Sequence, residues 1–370
     1  MHSQISLIAA AAAMALALMA PASAQEAFDL DALVAAAQGE APITVYAVTG
    51  KIVETAEAFT AKYGGEATGK KVNEADQIEL LIRENQAGNI VGDVSVAADV
   101  ASIVGQLIPS KTLENWVPPD IEADIAEANR DPLVLVTDPQ VWTYNTEVYD
   151  TCPVTNIWQL TEPEWARKVT MLDPLVKPAY ADWFNQLETH HDAEMAAAYE
   201  ALYGKTLETT EKSATAAWVK AHAQNQPLLA DSSGVSEAIG APGQTEPYFG
   251  ITSTAKYRDN EAKGFKLGVC QNMAPFSGFL YPGYGMIATG TKSPNAARLF
   301  IHYLLTEEGI APQTVDGKIS TNKAIPTNPA EASGITTMLD QLLDYESTTA
   351  AADFDLRQDW QDFWRVNYSR

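Results

Sequence analysis

Residues 43–65 read ITVYAVTGKIVETAEAFTAKYGG. Ile43 to Val48 is a short β-branched run of the buried-strand kind, and Thr49-Gly50-Lys51 is a turn. From Ile52 the apolar positions recur at helical spacing until Gly64-Gly65 stops them. A strand, a turn and a helix in that order begin a βαβ unit. The alternation continues through DQIELLIRENQAG (76–88), a helix closed by Gly88, then GDVSVAAD (92–99) and LVLVTD (133–138), two more strands. Strands alternating with helices of this length predict an α/β fold with a parallel sheet, whose ligand lies at the carboxyl ends of the strands.

Working outward, 370 residues exceed the size at which one core keeps growing, so two domains are expected. PQVWTYNTEVYD (139–150) is extended and aromatic and reads as a crossing into a second lobe. That lobe would hold KVTML (168–172), two long helical stretches between Ala179 and Ala223, and PLLADSSGVSEAIG (227–240). FKLGVCQNMAP (265–275) reads as the return. The expected division is therefore 25–140 with 275–370 for the first lobe and 141–274 for the second. The C-terminal DFDLRQDWQDFWRVNY (353–368) would complete and brace the first lobe, with Phe354, Trp360, Phe363 and Trp364 as core packing on a helix. There is no internal repeat and no low-complexity linker.

The first 24 residues, MHSQISLIAAAAAMALALMAPASA, form an apolar run ending in Ala22-Ser23-Ala24, the pattern of a cleaved secretory signal peptide. They carry no Lys or Arg, which leaves an uncleaved membrane anchor as the lesser reading, and no cysteine directly follows the run to take a lipid. With 24 basic and 48 acidic side chains the net charge is −24, a surface that repels nucleic acid and anionic lipid. The two cysteines, Cys152 and Cys270, are an even count in an exported chain, and one disulfide near the crossings is expected.

Enzyme signatures fail one by one. GGEATGKK (64–71) matches part of a phosphate-binding loop, but Lys71 stands where Ser or Thr would hold magnesium, and the order of strand and helix is reversed. A nucleophile elbow, HExxH and a dinucleotide glycine fingerprint are missing. Two turns instead suit an anion without catalysis. Thr49-Gly50-Lys51 offers backbone NH groups and a hydroxyl at the start of a helix, and in DSSGVSEAIG (231–240) Ser232 or Ser233 would cap a helix beside Gly234. Ordinary N-caps read the same way, so it is the pair, one turn per lobe, that carries the expectation.

ETHHDAEM (188–195) gathers two carboxylates and two adjacent imidazoles. On one helix His190 and His191 point about 100° apart, so they cannot share an ion unless the helix breaks. A sugar asks less: His191 and Asp192 would exchange hydrogen bonds with ring hydroxyls, while a solvated, charge-paired face explains the same residues.

VYAVTG (45–50), IRENQAGNIVGDVSVAAD (82–99), IWQLTEPEWARKVTMLDP (157–174) and SPNAARLFIHYLLTEEGI (293–310), in this order, resemble the periplasmic substrate-binding proteins of ABC importers. The group in question includes ferric-iron and phosphorylated-compound binders. The resemblance implies a two-lobed, type II-like fold with the ligand cleft between the lobes, a monomer in the periplasm, no cofactor, and delivery of one small solute to a membrane permease and its ATPase. Ferric binders of the group use two adjacent tyrosines and often a histidine in the first turn. Here GITSTAKYRDN (250–260) offers Lys256-Tyr257, and the first turn has Gly50, so Tyr257 alone would remain for iron. FNQLETHHDAEM (184–195) and STAKYRDN (253–260) are similar to the hexose-phosphate-binding subfamily. The expected ligand set is Thr49, Gly50, Lys51, Ser232 and Ser233 for phosphate, with Asp99, Asp173, His191 and Asp192 for hydroxyls. For Asp99 and Asp173, helix capping and a turn before Pro174 are equal alternatives. Trp142 and Trp183 are read as core in preference to sugar-stacking rings. A ferric carrier and a secreted phosphatase are the competing functions.

Overall fold

The computed structural model describes residues 28–368, so the expected signal peptide lies outside the described residues. The strands are β1 (Ile43–Ala47), β2 (Ala67–Lys71), β3 (Val94–Ala97), β4 (Leu113–Asn115), β5 (Val134–Asn145), β6 (Val169–Met171), β7 (Leu228–Leu229), β8 (Phe249–Ser253), β9 (Leu267–Val269), β10 (Gly278–Ala288), β11 (Ile319–Ser320) and β12 (Leu342–Leu343). The α-helices are α1 (Leu30–Ala37), α2 (Ile52–Tyr63), α3 (Glu74–Ala87), α4 (Val100–Ser102), α5 (Pro178–His190), α6 (Asp192–Tyr203), α7 (Ala214–Gln224), α8 (Ser232–Gly240), α9 (Asp259–Ala262), α10 (Pro294–Leu304), α11 (Glu307–Thr314) and α12 (Ala350–Tyr368). Among the described residues no helix is long and apolar enough to cross a membrane.

The sheet runs β2-β1-β3-β10-β5-β8-β6-β7. At one end β2, β1 and β3 are parallel, and at the other β8, β6 and β7 are parallel. Between them lies the antiparallel pair β5 and β10, the two longest strands. Strand β5 pairs with β10 from Val134 to Val141 and with β8 from Gln140 to Thr143, so it passes from one parallel group to the other near Pro139. Each group is one lobe of an α/β molecule, joined to its neighbour by two strands. The opening stretch sets this up as read: α2 buries Ile52, Ala56 and Phe59 against β1, whose Val45 and Ala47 are fully buried.

Each lobe has its own apolar core. The first gathers Val45, Phe59, Val94, Leu135, Phe300 and Ile301. The second is aromatic, with Trp142 stacked on Phe249 at 5.7 Å and Trp183 on Phe279 at 4.5 Å. Both tryptophans are therefore core residues. Cys152 and Cys270 form the expected disulfide, and Cys270 lies within this second core.

Helix α12 corrects the expectation for the C-terminus. Trp360 and Trp364 pack on Phe184 of α5, within the second core. Phe354 reaches the other way, to Gly105, where any Cβ would stand 2.5 Å from the ring. The helix thus leans on both lobes, because its aromatic face fits the gap between α5 and α7 while its first turn overlies residues 103–107.

Candidate functional site

The carboxyl ends of the parallel strands in both lobes face one another across the β5–β10 crossing. Helices α2, α3, α4, α5 and α8 start there, after β1, β2, β3, β6 and β7. Their amino-terminal amides and dipoles make such a cleft receptive to negative charge.

At one corner the Thr49 hydroxyl accepts from the Lys51 amide at 3.3 Å, and the Lys51 ammonium meets Glu54 at 3.2 Å. Opposite it, in the second lobe, the cap of α8 is Asp231 and not Ser232 or Ser233. Its Oδ1 accepts from the amides of Ser233 at 3.0 Å and Gly234 at 2.8 Å, and the Gly234 contact above all holds the carboxyl below its usual range. A carboxylate outranks a hydroxyl as an acceptor for these amides. An incoming anion at this turn would meet side chains instead: Lys256 Nζ lies 3.1 Å from Ser233 Oγ. Burial lowers the Lys256 ammonium, Asp259 raises it, and Arg258, Lys263 and Lys71 lower it further. Lys71 ends β2 of the first lobe and is the nearest side chain to Gly50. Lys71 and Lys256, one from each lobe, thus form a cationic corner.

The rim of this corner is tied across the lobes. Arg258 Nη1 meets Asp316 at 2.5 Å, and Gly317, at φ +81°, presses on Thr254 so closely that a Cβ would come within 2.9 Å. At the crossing itself Ser253 donates to Asp138 at 2.7 Å.

Tyr257 turns away from all of this. It is 1% exposed, shares a 2.9 Å hydrogen bond with Thr143, and packs on Val141, Val235 and Ile239. Burial pushes its hydroxyl well above the ordinary phenol range, so ionisation to a phenolate is suppressed. The expected iron ligand is thus a core residue, held there by the apolar face of α8.

Deeper in the cleft the polar groups are acidic and paired. Asp99 caps α4 through the Ser102 amide at 3.0 Å and also binds the Arg357 guanidinium, Nη2 to Oδ1 at 2.5 Å. Arg357 simultaneously grips Asp182 of α5 through Nε at 2.8 Å and Nη2 at 2.6 Å. Burial pushes the Asp182 carboxyl up to about 7 against the pull of that guanidinium. Asp173 accepts from the Leu175 amide at 2.9 Å, and so shapes the turn that presents Lys177. Lys177 forms an ion pair with Glu74, the first residue of α3, and lies 5.7 Å from the centre of the Tyr281 ring. Burial raises the Glu74 carboxyl while Lys177 draws it down.

The histidine-rich stretch is a helix junction. Helix α5 ends at His190 and α6 starts at Asp192. Asp192 accepts from the amides of Thr215 at 2.7 Å and Ala214 at 3.3 Å, capping α7, while Glu188 meets Lys212 at 2.5 Å. His190 bonds Thr349 at 2.9 Å, and His191 lines a narrow crevice with Trp183, Gln186, Tyr281 and Asp344. His191 and Asp192 thus serve different neighbours, since the break swings them onto different helices. No group of three or more His, Cys, Asp or Glu among the described residues is arranged to hold a metal ion.

Gly50 lies beside Lys71 and Ser233 beside Lys256, while Asp99 and Asp173 lie at strand ends of the first and second lobe. Sequence reasoning missed Lys71, Glu74, Lys177, Lys256, Tyr281 and Arg357. Glu74 in KVNEAD and Lys177 in DPLVKPAY each sit where a strand hands over to a helix, the signal that drew attention to Thr49.

A family model described as bacterial extracellular solute-binding protein matches residues 43–317. The chain belongs to that family. This solute-binding protein is similar in fold to iron-bound HitA from Pseudomonas aeruginosa, at 15% identity over 88% of this chain and 99% of that one, with a TM-score of 0.65. It is equally similar to the ferric binding protein from Campylobacter jejuni, at 14% identity, 87% and 99% coverage and a TM-score of 0.65. The periplasmic binding protein AfuA from Actinobacillus pleuropneumoniae, solved with fructose-6-phosphate bound, shares 17% identity over 89% and 99% of the chains with a TM-score of 0.64. No curated protein sequence matches the solute-binding protein.

Proposed function

We propose that this solute-binding protein is the extracytoplasmic receptor of an ABC importer, and that its cargo is a small phosphorylated sugar taken by closure of the two lobes. The observation that carries the cargo is the cationic corner. Lys71 from the first lobe lies beside Gly50 at the start of α2 and acts on Lys256 from the second, which lies 3.1 Å from the Ser233 hydroxyl. A phosphate bridging them gains contacts to both lobes, and that differential contact is what drives closure. It also reconciles an acidic protein with an anionic ligand, because local cations and helix dipoles outweigh a distant surface charge.

Iron is the poorer cargo because Tyr257, which stands where ferric binders carry their tyrosine pair, is packed into the core on Thr143. Binding without turnover fits a site lacking a nucleophile motif, and the expected products of the system are a loaded monomer in the periplasm, its signal peptide removed after Ala24, and a permease with its ATPase to receive the sugar. On this reading residues 25–140 with 275–370 and 141–274 make the two lobes, with α12 shared between them.

Thermal unfolding in the presence of hexose and pentose phosphates tests the cargo. A ligand that binds only the folded state raises the midpoint with concentration. No rise at millimolar concentrations of any of them would discard this reading. Phosphate release over time would mean an enzyme instead.

A further inference from the structure

We propose that Glu74 and Tyr281, organised by Lys177, form a subsite at the back of the cleft that reads the hydroxyls of the cargo and excludes a second phosphate. The inference rests on the phosphorylated-sugar reading above and extends it to the other end of the ligand. Glu74 opens α3 in the first lobe, Lys177 precedes α5 in the second, and Tyr281 lies on β10 at the crossing, paired in register with Asp138. Asp138, the ladder partner of Tyr281, binds Ser253, three residues before Lys256.

Glu74 is 7% exposed and Tyr281 6%. Lys177 takes one Glu74 oxygen, but Oε1 has no hydrogen-bond partner among the described residues, and neither has the Tyr281 hydroxyl. A buried carboxylate oxygen lacking a donor and a buried phenol lacking an acceptor are costly in a folded protein. Their needs are complementary to a sugar hydroxyl, which donates and accepts at once. Lys177 fixes the Glu74 carboxylate and faces the Tyr281 ring, so the pair is preorganised. Because the three residues come from both lobes and the crossing, the subsite exists only when the lobes meet.

Charge sets its selectivity. Glu74 is paired with Lys177, and Asp99 and Asp182 share Arg357, so three carboxylates stand against two cations at this end of the cleft. A neutral hydroxylated body is accepted there and a second phosphate is repelled.

Isothermal titration of the wild type, Glu74→Gln and Tyr281→Phe with glucose 6-phosphate, fructose 1,6-bisphosphate and inorganic phosphate decides the matter. Loss of one hydrogen bond to a buried charged or phenolic partner predicts a drop of about tenfold in glucose 6-phosphate affinity for each variant. Inorganic phosphate affinity should not change, and the bisphosphate should bind wild type more weakly than the monophosphate. Parallel losses for glucose 6-phosphate and inorganic phosphate would make the Glu74 and Lys177 pair a latch between lobes and overturn the subsite, as would no loss at all. Tyr281→Phe removes a single hydroxyl and decides the point if Glu74→Gln does not fold. A wild type that binds none of the three probes would instead bring down the phosphate reading itself, and the subsite with it.

Discussion

Arg357 on the C-terminal helix grips Asp99 with two bonds, Nη2 to Oδ1 at 2.5 Å and Nη1 to Oδ2 at 3.2 Å, although the residues are 258 positions apart. The same guanidinium holds Asp182, so one cation neutralises a carboxylate from each lobe. Arg357→Met therefore leaves two buried carboxylates without their counter-charge. The expected loss is about 3–5 kcal/mol of unfolding free energy, measured by urea denaturation. A loss near zero would mean that water enters and solvates the pair.

His222 is buried against Trp218, with the rings 4.9 Å apart. Burial lowers its pKa from 6.5 to about 4, against the pull of the Leu160 carbonyl. The unfolded chain takes up a proton below pH 6.5 that the folded chain refuses until about 4, so this contribution to stability is present above 6.5 and is lost as pH falls through that window. About 3 kcal/mol is at stake. Asp182 works in the opposite sense, its folded pKa being raised, so its contribution declines as pH rises toward about 7. Subtracting the pH profile of His222→Phe from that of the wild type isolates the histidine. A difference that is flat between pH 4 and 6.5 would contradict the assignment.

The Cys152–Cys270 bridge spans 118 positions. Closing a loop of that length removes unfolded-state entropy worth about 4–5 kcal/mol in the chain model. The double variant Cys152→Ala, Cys270→Ala should unfold at distinctly lower denaturant, and the wild type under reducing conditions should move toward it.

Lys256→Met and Lys71→Met test the cationic corner from opposite lobes. Each removes a charge-assisted contact of roughly 1.5–3 kcal/mol, so hexose-phosphate affinity should fall at least tenfold. The salt dependence of binding should also flatten. If Lys71→Met has no effect, closure does not bring the first lobe's cation to the ligand.

Tyr257→Phe should cost about 1 kcal/mol of stability, the worth of its hydrogen bond to Thr143. Added ferric iron should produce no tyrosinate absorption band in the wild type. A band that the substitution abolishes would reinstate Tyr257 as a ligand.

How far the site was legible depends on the range of the interactions. Thr49-Gly50-Lys51 announced a helix start because its neighbours in sequence are its neighbours in space. DSSGVSEAIG announced one too, yet the cap fell to Asp231, since a carboxylate one position earlier reaches the same amides. His191 and Asp192, adjacent in the chain, part company at a helix junction whose position no capping signal in ETHHDAEM marks.

What the sequence alone determined was the alternation of strand and helix, the even cysteine count and the charge balance, all of them set by local pattern or composition. The tertiary structure decided that Tyr257 faces the core, that α12 leans on both lobes, and that Glu74 meets Lys177 across the cleft. Those outcomes come from packing and charge pairing between segments a hundred or more residues apart, where periodicity along the chain carries no information about which faces will meet.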